Sequence, residues 1–175
     1  MSAPSTDIAA RRGSPLAIMA RVVAALLLRE TRVRFGRAQI GYLWAIIEPL
    51  GGVLVLAFAF QLIGRVPDVG QSLLLFLAIG MLGFSLQRRL TVQLGNAFDA
   101  NKALLHFPVV KRIDTLIARS ILEIATSLLS MMIIIAGLVL IDGAPPPARL
   151  DIFVAGIAAL ALLGFGLGTL NAILN

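Results

Sequence analysis

Glu48 and Pro49 stand side by side inside an apolar run, Tyr42–Ile63. A carboxylate there could hold or pass a proton or a cation. A proline there removes the backbone donor that would bond the carbonyl of Ala45, so a helix should kink or weaken at that turn. Glu48 lies seven residues past Gly41, roughly 10 Å along a helix that rises about 1.5 Å per residue. An ionisable group at that depth normally faces a cavity or another helix. The plainer alternative is a carboxylate still within the interface, paired with a nearby arginine. Glu30 and Arg34 form a second charged pair, spaced i,i+4 with the acid first, which is the favourable order. Glu123 follows Arg119 by one turn and invites the same kind of pairing.

Other chemistry is excluded by what the chain lacks. It has no cysteine and one histidine, His106, so disulfides, thiolate nucleophiles, Cys-based metal sites and bis-histidine haem are out of reach. His106 reads as a polar helix residue. The two lysines, Lys102 and Lys111, do not follow the glycine pattern of a phosphate-binding loop. No serine sits in a nucleophile elbow. The expectation is a chain with no catalytic residue, no metal and no cofactor, and hence not an enzyme.

The elements that must position these residues are written in the composition. Hydrophobic residues make up 59% of the chain, charged residues only 14%, and the mean hydropathy is +0.96. Soluble domains carry nearer a quarter charged residues, and a fold of this size in water could not hide so much apolar surface. The predicted class is an all-α integral membrane protein. Residues 1–15 read as a disordered tail without the apolar stretch and cleavage site of a signal peptide. Residues 16–37 predict an amphipathic interface helix, with Arg21, Arg29 and Arg32 on one side and Leu16, Met19, Val23, Leu26 and Leu27 opposite. Glu30 and Arg34 fall on the apolar side, so this end of the helix is expected to leave the lipid and meet protein.

About four spans follow within a transmembrane domain of residues 42–174: residues 42–63, 69–87, 121–141 and 152–174, each near the ~20 residues needed to cross. Arg88 and Arg89 can snorkel to lengthen the second. Short connectors with turn chemistry join spans one and two (Gly64 to Asp68) and spans three and four (Asp142 to Pro147). A longer polar segment, 88–120, separates spans two and three. Of the fifteen Lys and Arg residues, seven lie at or before Arg37 and six between Arg88 and Arg119, leaving only Arg65 and Arg149 in the short connectors. The positive-inside rule makes the crowded side cytoplasmic, so both termini face the cytoplasm and the formal charge of +6 speaks for lipid rather than nucleic acid. Tyr42 and Trp44 suit an aromatic belt at the entry of span one. The fourth span reaches Asn175 with no basic flank, as a fragment or a naturally short chain would.

Within the cytoplasmic segment, Asn96–Pro108 predicts a short amphipathic helix ended by proline. It either docks a soluble partner or lies flat on lipid headgroups. Gly164 and Gly168, at i,i+4 spacing in the last span with Gly166 between them, permit close helix–helix approach.

Two stretches carry a resemblance. Arg29-Glu30-Thr31-Arg32-Val33-Arg34-Phe35-Gly36-Arg37 through Gly41-Tyr42-Leu43-Trp44-Ala45-Ile46-Ile47-Glu48-Pro49-Leu50 resembles permease subunits of type-two ABC exporters, nearest to the capsular polysaccharide branch. Asn96-Ala97, Asn101-Lys102-Ala103-Leu104-Leu105, Phe107-Pro108-Val109-Val110-Lys111, Asp114 and Ala118–Glu123 repeat the likeness in the expected order. The resemblance runs from about Leu26 to the end. It implies a six-span subunit of which this chain has the N-terminal part, working as a homodimer with two separate ATP-binding subunits in a bacterial inner membrane. It implies that Arg29, Glu30, Arg34 and Phe35 on the first helix contact the ATPase, as do Asp99, Asn101, Lys102, Phe107 and Pro108 after span two. The function it implies is ATP-driven export of an acidic or neutral polysaccharide, the capsular kind first, with export of lipid-linked O-antigen or teichoic acid as the sibling possibility. Two alternatives remain beside it: a small four-span transporter driven by an ion gradient through Glu48, and a membrane scaffold with no transport role.

Overall fold

A computed structural model describes residues 14–35, 40–64, 72–143 and 149–175 of the chain. The described residues form six helices and no strand: α1 (Pro15–Phe35), α2 (Ile40–Leu62), α3 (Leu73–Gly95), the single turn α4 (Ala97–Ala100), α5 (Arg112–Asp142) and α6 (Leu150–Leu174). α3, α5 and α6 are each long and apolar enough to cross a membrane, and α2 carries a shorter apolar stretch, Ile46–Leu62. The expected tail lies outside the described residues apart from its last two, and most of both short connectors lies outside them as well.

Helix ends follow local chemistry. The Ser72 hydroxyl accepts from Leu75 N–H at 3.2 Å and caps α3. At the start of α5 the backbone N–H of Lys111 donates to Asp114 Oδ2 at 3.0 Å, satisfying a group the helix cannot. α5 stops at Gly143, whose φ of +63° is the left-handed conformation glycine adopts without strain.

α3 is the central column. Its first half packs Leu77, Ala78 and Leu82 against Val53 and Ala57 of α2 and Met131, Ile134 and Leu138 of α5. Its second half packs Leu86, Leu90 and Leu94 against Leu116 of α5 and Ala172 of α6. α6 lies beside α3 in parallel, since Gly83 faces Leu160, Gly164 faces Gln87 and Leu90, and Gly168 faces Leu90 and Leu94. A Cβ on Gly164 would stand 2.9 Å from Gln87 O and one on Gly168 2.8 Å from Leu94 Cβ. The expected close approach is therefore present, and glycine is what permits it. The other side of α6 exposes Val154, Leu162, Leu163, Leu167 and Leu170, the surface a helix presents to lipid.

Three expectations change. α3 runs past Arg88–Arg89 to Gly95, and α5 begins at Arg112 rather than near Ile121. Packing of Leu90, Leu94 and Leu116 carries the helices beyond the apolar runs that lipid alone would select. The amphipathic helix expected over 96–108 is helical only at Ala97–Ala100, and turns follow it. The Asn101 side chain donates to Ala97 O at 3.0 Å, taking the carbonyl that a continuing α-helix would give to the Asn101 backbone N–H. Finally, the apolar side of α1 is covered by protein: Val23 and Leu26 are buried with Ala118 of α5, beside Leu104, Val110 and Ile117, while Leu16 stays exposed.

Candidate coupling site

The clearest polar constellation joins α1 to the connection between α3 and α5. Asn101 is only 2% exposed. Its Oδ1 accepts from Arg29 Nη1 at 2.7 Å, and its Nδ2 donates to Glu30 Oε1 at 3.3 Å and to Ala97 O at 3.0 Å. Both amide hydrogens and the amide oxygen are thus engaged, which is what a buried carboxamide needs. The network also fixes the amide's orientation, because the flipped form would set its NH2 against a guanidinium and its oxygen against a carboxylate. The bonds to Arg29 and Glu30 are charge-assisted and stronger than neutral ones.

Arg119 of α5 completes the arrangement. Its Nη2 lies 3.7 Å from Glu30 Oε2, and its Nη1 donates to Asn96 O at 3.2 Å. One carboxylate, Glu30, therefore sits between an amide and a guanidinium, with both ionic side chains largely buried. Four chain segments meet here: the C-terminal third of α1, the end of α3, the turn α4 and the first turns of α5. The apolar contact of Val23 and Leu26 with Ala118 lies alongside it. Polar satisfaction and apolar burial point to the same docking of α1.

The rest of the expected contact set divides by exposure. Asp99, Lys102, Phe107 and Pro108 are exposed, as is Arg29 in part, whereas Asn101 is committed to the interior network. Phe107 and Val109 are 60% and 59% exposed, an apolar tip beyond the turns. An open groove of about 530 Å³ is lined by Phe98, Asp99, Lys102, His106 and Arg112 together with the end of α6. Arg112 stands over the Phe98 ring at 5.5 Å, and His106 Nδ1 bonds Lys102 O at 2.8 Å, so the ring is tied to the turn, not presented as a catalyst. The side chains of Arg34 and Phe35 lie outside the described residues, and with them the Glu30–Arg34 pair.

Glu48 and Pro49 occupy a separate place. Glu48 Oε2 lies 3.2 Å from Arg89 Nη2, with the Glu48 side chain half exposed. α2 stays helical through Pro49. Pro49 lines a small cavity of about 10 Å³ with Ser85, Ser127 and Ser130, close to the least volume that holds one water. No cluster of three metal-ligating side chains occurs among the described residues.

Sequence reasoning did not find that Asn101 bridges the two motifs, or that Arg119 reaches across to Glu30 and Asn96. Spacing alone brings only Glu123 into view for Arg119, one turn away on the same helix and 1% exposed. The available signal for Asn101 was its type: an asparagine at the end of a short helix competes for backbone groups.

Comparison with known proteins places these features in context. The model of the family described as ABC-2 type transporter matches residues 21–175. The chain is 39% identical over 118 residues to the polysialic acid transport protein KpsM of Escherichia coli, covering 64% of this chain and 45% of that protein. It is 33% identical over 153 residues to the capsule polysaccharide export inner-membrane protein CtrC of Neisseria meningitidis, covering 87% and 58%. It is 32% identical over 155 residues to the capsule polysaccharide export inner-membrane protein BexB of Haemophilus influenzae, again covering 87% and 58%. The chain spans about half the length of the curated relatives it matches.

Proposed function

We propose a transport role from the premise that this chain belongs to the ABC-2 type transporter family. It serves as a permease subunit exporting polysaccharide, of the capsular type named for its relatives, across a bacterial inner membrane. Its N-terminus lies in the cytoplasm, it pairs with a second copy, and a separate ATP-binding subunit hydrolyses ATP.

The observation that carries this reading is the Asn101 network. The two motif stretches expected to receive an ATPase are held as one piece by Arg29–Asn101 and Asn101–Glu30. Exposed Asp99, Lys102, Phe107 and Pro108 offer a mixed polar and apolar contact. A push there would pass through Asn96, Glu30 and Arg119 into the head of α5, a membrane-crossing helix, with little lost in bending a loop. Asn101 acts in this scheme by positioning, since its side chain is enclosed.

The gradient-driven reading through Glu48 gains no support from its half-exposed ion pair with Arg89. The test is co-purification of the protein with an ATP-binding subunit from its native cells, followed by glycan export in cells. Recovery of the ATPase and export that depends on its ATP site are the expected results. A chain that supports export with the ATPase deleted would overturn the proposal.

A further inference from the structure

α3 ends in a polar surface that the coupling site does not use. Arg88, Arg89, Val92 and Gln93 line an open groove of about 260 Å³ together with Glu48 of α2. Spacing of i, i+1, i+4 and i+5 brings all four to one side of the helix. Arg89 is held by Glu48 at 3.2 Å. Arg88 is exposed and makes no hydrogen bond or ion pair with the described residues. Two guanidinium groups against one carboxylate leave the groove with a surplus positive charge. The planar guanidinium matches the oxygen spacing of a phosphate.

A second observation fixes the kind of molecule. Phe84, Arg88 and Val92 follow one another at i, i+4 and i+8 along α3, and Phe84 and Val92 are 63% and 52% exposed. An apolar strip thus borders the cationic groove, with Phe84 one turn from Arg88 toward the hydrophobic part of the helix and Val92 inside the groove. That order, apolar above and cationic below, suits a molecule with an acyl chain and an anionic head. We propose that this groove binds the phosphate headgroup of an anionic membrane lipid, with its chain along Phe84. Basic pockets between membrane helices on the cytoplasmic side are suited to such headgroups. The proposal rests on the cytoplasmic placement of this end of α3 given above. Glu48 acts as an internal competitor: it occupies Arg89 until a phosphate arrives, and it repels that phosphate.

The full chain, purified in a neutral detergent, is to be titrated with phosphatidylglycerol or phosphatidylcholine, and retained lipid counted by native mass spectrometry. Phosphatidylglycerol should be retained in preference to phosphatidylcholine. Arg88→Gln should lower that retention about fivefold, the worth of one basic residue near an anionic surface, while Arg149→Gln, at an exposed site paired with Asp151, should not. Glu48→Gln should raise retention, because it frees Arg89 and removes the repelling charge. Unchanged retention in Arg88→Gln, or a fall in Glu48→Gln, would overturn the assignment. So would displacement of the lipid by an equal concentration of glycerol phosphate, which would show that the apolar strip plays no part. The assay contains no ATPase and scores no export, so its failure leaves the transport reading standing.

Discussion

The side-chain oxygen of Asn101 lies 2.7 Å from Arg29 Nη1, although 72 positions separate the two residues in sequence. The same amide donates to Glu30, the next residue of α1, and to Ala97 one turn back. α1 is therefore fixed to the connection after α3 by an amide whose two N–H groups and oxygen are all bonded, and its apolar side is fixed to α5 by Val23 and Leu26.

Asn101→Asp tests that fixation. The aspartate still accepts from Arg29 but loses both donated bonds and turns a carboxylate toward Glu30. Leaving buried partners unsatisfied costs about 1–3 kcal/mol. The expected result is a lowered unfolding midpoint in detergent and faster protease cleavage between α1 and α2. An unchanged cleavage rate would show that the apolar contact alone holds α1.

The α3–α6 seam makes a sharper comparison. Gly164→Ala places a methyl 2.9 Å from both Gln87 O and Leu90 Cβ, whereas Gly166→Ala meets nothing within 4 Å. Forced overpacking costs about 1–3 kcal/mol, so Gly164→Ala should melt earlier in detergent and Gly166→Ala should match the parent. Equal melting of the two variants would mean that α6 does not pack on α3 as described.

Much of this was legible in the sequence, for reasons that differ by residue. Long apolar runs announce membrane helices because lipid imposes a length, and the glycine pair at 164 and 168 announces a close approach because few other residues allow one. Helix ends were less legible. Leu90, Leu94 and Leu116 extend α3 and α5 through contact with protein, and such contacts leave no one-dimensional signature. The segment 96–108 reads as an amphipathic helix by periodicity, yet a single side-chain bond from Asn101 to Ala97 turns it aside. The bridge from Arg29 to Asn101 could not be read at all, since pattern analysis compares residues a few positions apart.

Glu48 and Pro49 should separate charge from shape. The Glu48–Arg89 pair is half exposed on the carboxylate side, and pairs of that kind contribute at most about 1 kcal/mol. Glu48→Gln is expected to leave membrane levels near those of the parent. Pro49→Leu restores a backbone donor and reshapes the cavity shared with Ser85, Ser127 and Ser130, so it should reduce the folded fraction. Immunoblotting of membranes beside an export assay checks both, and an equal loss of folded protein would make the carboxylate a structural partner.

Topology can be measured directly. Reporter fusions at Asp68 and Pro146 should read outside and a fusion at Lys102 inside, with both termini cytoplasmic. A cytoplasmic signal at Pro146 would contradict the fourfold crossing.

The exposed contact set gives the last test. Asp99 and Lys102 project from the turns after α3 and line the open groove beside Arg112. Neither carries part of the Asn101 network, so replacing both with alanine should leave insertion and melting unchanged. Binding of the ATPase should weaken, because truncating a charge at a polar contact leaves the partner's group unpaired. Glu30 and Arg119 should respond differently, since their charges face each other inside the fold at 3.7 Å. Removing either one leaves the other partly buried without its counter-charge, whereas exchanging them by Glu30→Arg with Arg119→Glu retains a pair. The exchange should therefore be less harmful to folding than either single alanine substitution, though it still disturbs Asn101. Pull-down of the ATPase, with membrane levels and melting measured in parallel, separates the two behaviours. Full binding by the Asp99/Lys102 variant would remove these charges from the contact, and loss of melting temperature in that variant would show that they belong to the fold.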